Sequence, residues 1–398
     1  MEELYGRFLQ RLSHVSTDFT RSAMTVIPWN ARLVGIKGAR GVGKTTLLLQ
    51  YIKLHLSDEI SKTLYVSLDS FWFSSHSLSE LIDSFYKQGG KYLFLDEVHK
   101  YPNWAQELKN AYDDFPDLKI VFTGSSALEI LNARADLSRR AVVFEMQGFS
   151  FREFLSIETK MDFSVLTLND ILDNHIHHSQ EIVQQVKPFQ YFSNYLNYGY
   201  YPFYFEDKEL YEIKLTEVLN MILEIELPLL RGIEAAYVFK LKELLSVIST
   251  SVPFTPNVSK LAEKLSINRS TILSYLHYFH EVRLTNNLFK EASGISKLQK
   301  PQKIYLENPN LMQILSPNNV NIGNVRETFF ANQVGFNHRL QYANKGDFLV
   351  DEKYTFEIGG KNKTKYQIEG VQNSFIASDD LEYGFNQKIP LWLFGFLY

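Results

Sequence analysis

The sequence predicts an α/β fold with a parallel sheet at its core, followed by a helical lid, a winged helix and a small α+β domain. Three observations predict it. Apolar runs with strand character alternate with helical stretches across residues 32–146. The first of those runs feeds a glycine-rich loop that opens a helix. Beyond residue 148 the alternation gives way to helical periodicity, and strands return only in the last hundred residues.

The run Ala31-Arg32-Leu33-Val34-Gly35-Ile36 reads as a buried strand, and residues 45–55, carrying Leu47, Leu48, Leu49, Tyr51 and Ile52, read as a helix. Between them GARGVGKTT fills the spacing G-x-x-x-x-G-K-[ST], with Gly38, Gly43, Lys44 and Thr45 at its fixed positions. A loop of this kind lets successive backbone N–H groups close around a triphosphate, and the helix that follows turns its N-terminus to the negative charge. Lys44 is placed to reach the β- and γ-phosphates, and Thr45 to set its hydroxyl on a magnesium ion. Ala39, Arg40, Gly41, Val42 and Thr46 complete the cradle. ATP and Mg2+ are the ligands this pattern anticipates.

A second strand, Lys91-Tyr92-Leu93-Phe94-Leu95, ends in Asp96-Glu97 and so delivers two carboxylates to the sheet edge. Asp96 is expected to hold the metal through its waters, and Glu97 to take the proton of the attacking water. A third, Leu118-Lys119-Ile120-Val121-Phe122, runs into Thr123-Gly124-Ser125-Ser126, where Ser125 is the candidate sensor of the γ-phosphate. Arg140, beside Arg139, is a candidate transition-state cation, in cis or toward a neighbouring copy of the chain.

Length and composition suit several such units: 398 residues, 45% hydrophobic and 22% charged, give a sizeable core and a charged surface. A net charge of −4 argues against a chain that coats nucleic acid, so any such contact must be local. The lack of cysteine excludes disulfides, thiolate metal sites and cysteine nucleophiles, and suits a reducing compartment. The N-terminus lacks the basic-then-apolar order of a signal peptide, and no uncharged apolar run approaches about 18 residues. The expectation is a cytoplasmic chain that does not enter a membrane.

The first domain is expected over residues 1–147, with an amphipathic helix ahead of the sheet. A helical lid is expected over 148–234; its aromatic run at 189–205 suits core packing or base stacking, and His175, His177 and His178 lack ligand spacing for a metal. Residues 235–300 carry helix-turn-helix spacing, with Ser270 or Asn268 as cap and Leu284 to Lys290 as the wing. Arg269, Ser270, Ser274 and His277 would face DNA if the second helix entered a major groove, and a protein partner otherwise. Residues 301–398 form the α+β domain. A hairpin turning at Asp351-Glu352 sets Asp347 opposite Glu357, a second candidate metal site that Glu327 and Lys361 could join.

Together the phosphate loop, Leu95-Asp96-Glu97-Val98-His99, Phe122-Thr123-Gly124-Ser125-Ser126, Ser150-Phe151-Arg152-Glu153-Phe154-Leu155 and Gly199-Tyr200-Tyr201-Pro202 resemble a family of bacterial and archaeal AAA-type ATPases. In that family a P-loop NTPase core and a winged helix precede a C-terminal domain with a restriction-endonuclease-like fold. The resemblance implies magnesium-dependent ATP hydrolysis and carries Lys44, Thr45, Asp96 and Glu97 into their usual roles. Nucleases of that fold show an acidic residue, a variable one and then lysine; this chain has Glu357-Ile358-Gly359, which displaces the lysine to Lys361. The expected function is ATP turnover coupled to nucleic-acid binding or remodelling. The alternative is a signalling switch with a protein-binding winged helix and an inert tail.

Overall fold

The computed structural model describes residues 1–124, 137, 139–290 and 299–398. They form two compact units, Met1–Gly148 and Phe149–Tyr398.

The first unit holds five strands, β1 (Leu33–Lys37), β2 (Thr63–Ser67), β3 (Tyr92–Asp96), β4 (Lys119–Gly124) and β5 (Val142–Glu145), in the order β2-β3-β4-β1-β5. Every pairing is parallel. Leu33, Val34, Ile36, Leu93, Phe94, Leu95, Ile120, Val121 and Phe122 are all buried, as expected where helices cover both faces of a parallel sheet. The helices are α1 (Glu2–His14), α2 (Lys44–His55), α3 (Leu78–Lys87) and α4 (Trp104–Asp114). Ser77 caps α3 reciprocally with Glu80, satisfying two end donors at once. Because the strands run the same way, their C-terminal ends share one edge, where the loop after β1, Asp96 of β3 and Thr123 of β4 come together.

In the second unit α5 (Phe151–Thr159) and α6 (Leu168–Gln185) open a helical portion built around aromatic side chains. Tyr195, Tyr200 and Tyr201 are buried there, with Tyr195 packed on Phe151, Phe154 and Phe329. Most of the aromatic run is therefore core, with Phe189, Tyr191, Tyr198 and Phe205 half-buried. The three segments expected after residue 147 pack as one unit. Asn310 shows why: its amide donates to the carbonyls of Tyr195 and Leu196 at 3.1 and 2.9 Å and accepts from the Tyr200 N–H at 2.8 Å.

After α7 (Ala235–Ser249), the helix-turn-helix consists of α8 (Val258–Leu265) and α9 (Arg269–Glu281). Ser266 turns the chain with φ 53°, and the Asn268 side chain caps α9 by accepting from the Thr271 N–H. The strand β6 (Thr285–Leu288) pairs antiparallel with β7 (Lys303–Leu306). The expected boundary at 300/301 falls between these two paired strands. Composition marks where a pattern changes and is blind to a pairing across fifteen residues.

The last part of the unit joins α10 (Ile322–Val334) to a five-stranded sheet: β8 (Leu340–Tyr342), β9 (Phe348–Val350), β10 (Tyr354–Gly359), β11 (Ser374–Ser378) and β12 (Lys388–Pro390). β8, β9 and β10 form an antiparallel meander, and β10, β11 and β12 are parallel. Val350 opposes Tyr354 and Phe348 opposes Phe356, so the register continues to Asp347 opposite Glu357. Among the described residues no helix is long and apolar enough to cross a membrane.

Candidate functional site

Gly41 and Gly43 take φ values of 82° and 95°, a backbone that side chains rarely adopt. Gly38 is fixed by proximity, since a Cβ there would stand 2.2 Å from the carbonyl oxygen of Met146. Gly38→Ala is accordingly expected to destabilise the unit by on the order of 1–3 kcal/mol and to abolish nucleotide binding. Melting temperature and titration with a fluorescent ATP analogue check this; parent-like values in both would remove Gly38 from the cradle. Lys44 is buried, and its ammonium donates to the Gly38 and Ala39 carbonyls at 2.9 and 2.8 Å, which fixes it on the floor of the loop. Thr45 and Arg40 are half-buried, and Thr46 is exposed.

The loop has a brace that no motif announces. Arg21, buried ahead of β1, donates to the Val42 carbonyl at 2.9 Å and to the Gln147 and Gly148 carbonyls at 2.9 and 2.8 Å. These three acceptors are backbone atoms, which leave no trace in sequence.

Asp96, 2% exposed, is surrounded by hydroxyl donors. Its Oδ2 accepts from Thr45 Oγ1 at 2.6 Å and from the Tyr65 hydroxyl at 2.7 Å, and its Oδ1 accepts from Thr123 Oγ1. Thr123 Oγ1 also accepts from the Glu97 N–H at 3.1 Å, so one threonine ties both acidic residues to β4. Thr123, the first residue of the expected sensor turn, therefore serves the carboxylates, while Ser125 lies outside the described residues. Glu97 has φ 54°, a left-handed conformation uncommon for a residue with a side chain. It turns the second carboxylate off the strand axis, where His99 Nε2 lies 3.5 Å from Glu97 Oε2. Burial, helped by the charges of Lys100, Lys44 and Arg40, pushes His99 down to about 3, so its ring is neutral near pH 7.

Arg140 lies elsewhere. Val142 pairs with Val34, so Arg140 precedes β5 on the N-terminal edge of the sheet, a strand length of about 13 Å or more from the phosphate loop. There it pairs with Asp113 through two contacts of 2.9 and 2.8 Å. The in-cis part of the expectation fails on this geometry, and only a neighbouring copy of the chain could receive this cation.

The second candidate site is arranged differently from its expectation. Glu357 is fully buried and its carboxylate pairs with Lys363, while Lys361 is exposed and offers its backbone carbonyl to Lys388. The reason is local: β10 ends at Gly359, and a turn closed from the Lys363 N–H to the Gly360 carbonyl folds Lys363 back along the strand. Asp347 faces Lys303 at 3.6 Å, and Glu327 accepts from the Tyr305 hydroxyl at 2.6 Å. Burial, then the charge of Asp347, push Glu327 up to about 7. Asp347 and Glu357 are each matched by a lysine. Among the described residues no three His, Cys, Asp or Glu side chains are placed to share a metal ion, and the histidines at 175–178 supply none.

On α9, Arg269 and Ser270 are exposed, whereas Ser274 and His277 are half-buried. Ser270, Ser274 and Tyr278 line a cavity of about 470 Å³ whose other wall includes Arg231 and Glu234. Arg231 stacks over Tyr278 at 4.7 Å and pairs with Glu281 at 2.7 Å, and His277 meets the same carboxylate at 3.2 Å. The outward face expected along the helix is thus reduced to its first turn; on α8, Lys260 and Lys264 are exposed.

Residues 30–155 match a family model described as an AAA domain. The chain is 30% identical over 291 residues to the uncharacterized protein MJ1637 of Methanocaldococcus jannaschii, a match covering 68% of this chain. It spans 60% of the length of that relative. Among solved structures, the Walker-type ATPase PABY2304 of Pyrococcus abyssi is similar with a TM-score of 0.40 and 12% identity, over 79% of this chain and 95% of that one. The ORC1 protein of Aeropyrum pernix, solved in complex with DNA, is similar with a TM-score of 0.28 and 11% identity, over 79% and 92% of the two chains. The AAA match falls on the parallel-sheet core and supports an AAA-type assignment for it. The winged-helix and nuclease-like parts of the resemblance lie beyond the matched residues.

Proposed function

We propose that the chain is a magnesium-dependent ATPase that couples its nucleotide state to nucleic-acid binding or remodelling. One observation carries the ATPase reading: Lys44, Thr45, Asp96 and Glu97 converge on one edge of the sheet, with Thr45 Oγ1 2.6 Å from Asp96 Oδ2. A hydroxyl and a carboxylate side by side are the hard oxygen donors that magnesium takes, the carboxylate through water. Bound there, the ion would neutralise charge on the β- and γ-phosphate oxygens. Lys44 and the loop N–H groups bind the phosphates, and Thr123 holds both acidic residues in place. Glu97 orients a water for in-line attack and accepts its proton as the bond from phosphorus to the leaving ADP oxygen breaks.

What supports nucleic-acid coupling is that Lys260, Lys264 and Arg269, on the two helices of this segment, are exposed cations. The C-terminal sheet is given no cleavage role, since Lys303 and Lys363 take up its carboxylates. Arg139 and Arg140 enter the chemistry only if copies of the chain associate. The test is the ATP hydrolysis rate across a titration of duplex DNA at fixed, moderate salt. Saturable stimulation that disappears at high salt is expected; a rate indifferent to DNA overturns the coupling and leaves a switch directed at a protein partner.

A further inference from the structure

Asp96 has a third hydroxyl donor that lies outside every phosphate-loop pattern. Tyr65 stands in the middle of the edge strand β2, 2% exposed, and donates to the same carboxylate oxygen that accepts from Thr45. Its own oxygen accepts from Arg11 Nη1 of α1 at 3.1 Å, and the Arg11 guanidinium lies 5.6 Å from the centre of the phenol ring. α1 is seated by the buried side chains of Leu4 and Phe8, the latter 6.5 Å from the Tyr65 ring. Three groups thus run in series from a surface helix to the metal-side carboxylate.

The direction of the bonds gives the series a purpose. An ordinary phenol stays protonated near neutral pH, so Tyr65 remains a donor to Asp96 there. A cation on the phenol oxygen polarises its O–H further toward the carboxylate. If Thr45 turned its hydroxyl to a metal ion, Tyr65 would still hold Asp96 Oδ2 and with it the carboxylate's rotamer. We propose that Tyr65 is a positioning residue for Asp96 and that Arg11 acts through it, which makes α1, outside the AAA match at 30–155, a working part of the nucleotide site.

The inference rests on the ATPase reading above, and its test separates the two. Binding of a fluorescent ATP analogue is measured in EDTA and then across a magnesium titration, alongside turnover. Tyr65→Phe is expected to keep the affinity seen in EDTA and to raise the magnesium concentration for half-maximal effect by about tenfold, as loss of a partner behind a metal-holding group does. Arg11→Met is expected to raise it less, and the double variant to match Tyr65→Phe alone. A parent-like magnesium requirement in Tyr65→Phe overturns the proposal, as does an Arg11→Met effect that persists in full in the Tyr65→Phe background. Should Tyr65→Phe melt below the assay temperature, Arg11→Met decides, since its side chain is exposed; a parent-like requirement there overturns the relay. A parent whose nucleotide binding ignores magnesium overturns the ATPase reading itself.

Discussion

A chain carrying Glu97→Gln is expected to bind ATP with the parent's affinity and to turn it over about 10²–10⁴-fold more slowly. The substitution preserves shape and removes only the capacity to accept a proton. Affinity is spared because the phosphates are held by Lys44 and the loop, and because the backbone of Glu97 stays tied to Thr123 through its N–H. The neighbouring ring of His99, whose basicity burial lowers to a pKa of about 3, is too weak a base to accept the proton in its place. Equilibrium binding and single-turnover phosphate release check the two halves separately. Parent-like release would take the proton away from Glu97; a fall in affinity would make it a binding residue.

Asp96→Ala is expected to remove magnesium-stimulated binding and, unlike Glu97→Gln, to weaken the fold itself. The missing carboxylate strands the hydroxyls of Tyr65 and Thr123 in the interior, while that of the half-buried Thr45 can still reach water. Two buried donors without an acceptor cost about 2–6 kcal/mol together. Trp29, Trp72 and Trp104 all belong to the first unit, so tryptophan fluorescence in a urea titration reports mainly on it. An unchanged midpoint would mean that the hydroxyl cluster contributes nothing to stability, and retained magnesium stimulation would move the metal away from Asp96.

What was legible in the sequence had a fixed local spacing. The phosphate loop keeps its chemistry within nine residues, and the two carboxylates ride on a strand whose apolar run locates its own end. The opposition of Asp347 and Glu357 was legible too, because a hairpin register follows from symmetry about its turn. Contacts that cross the sheet were not. Tyr65 lies on β2, a strand that no motif marks, Arg21 reaches the backbone carbonyls of Val42, Gln147 and Gly148, and β7 reads as the start of a new domain because its partner β6 precedes residue 300. Lys363 was missed in favour of Lys361 because two glycines let the chain leave the strand and return, which no regular strand geometry anticipates. Arg140 was legible as a cation; the pairing of β5 with β1, which sets it on the wrong edge for cis chemistry, was not.

Arg21 gives the phosphate loop a mechanical partner. One guanidinium holds the crest of the loop at Val42 and, with its other end, the last two carbonyls of the first unit, Gln147 and Gly148. The loop and the exit of the chain from this unit therefore hang from a single rigid fork. A displacement of Val42 by even an ångström stretches these bonds beyond useful length unless the exit moves with it. A shift of Val42 imposed by bound phosphates is thereby shared with residues 147 and 148, the last two of the first unit.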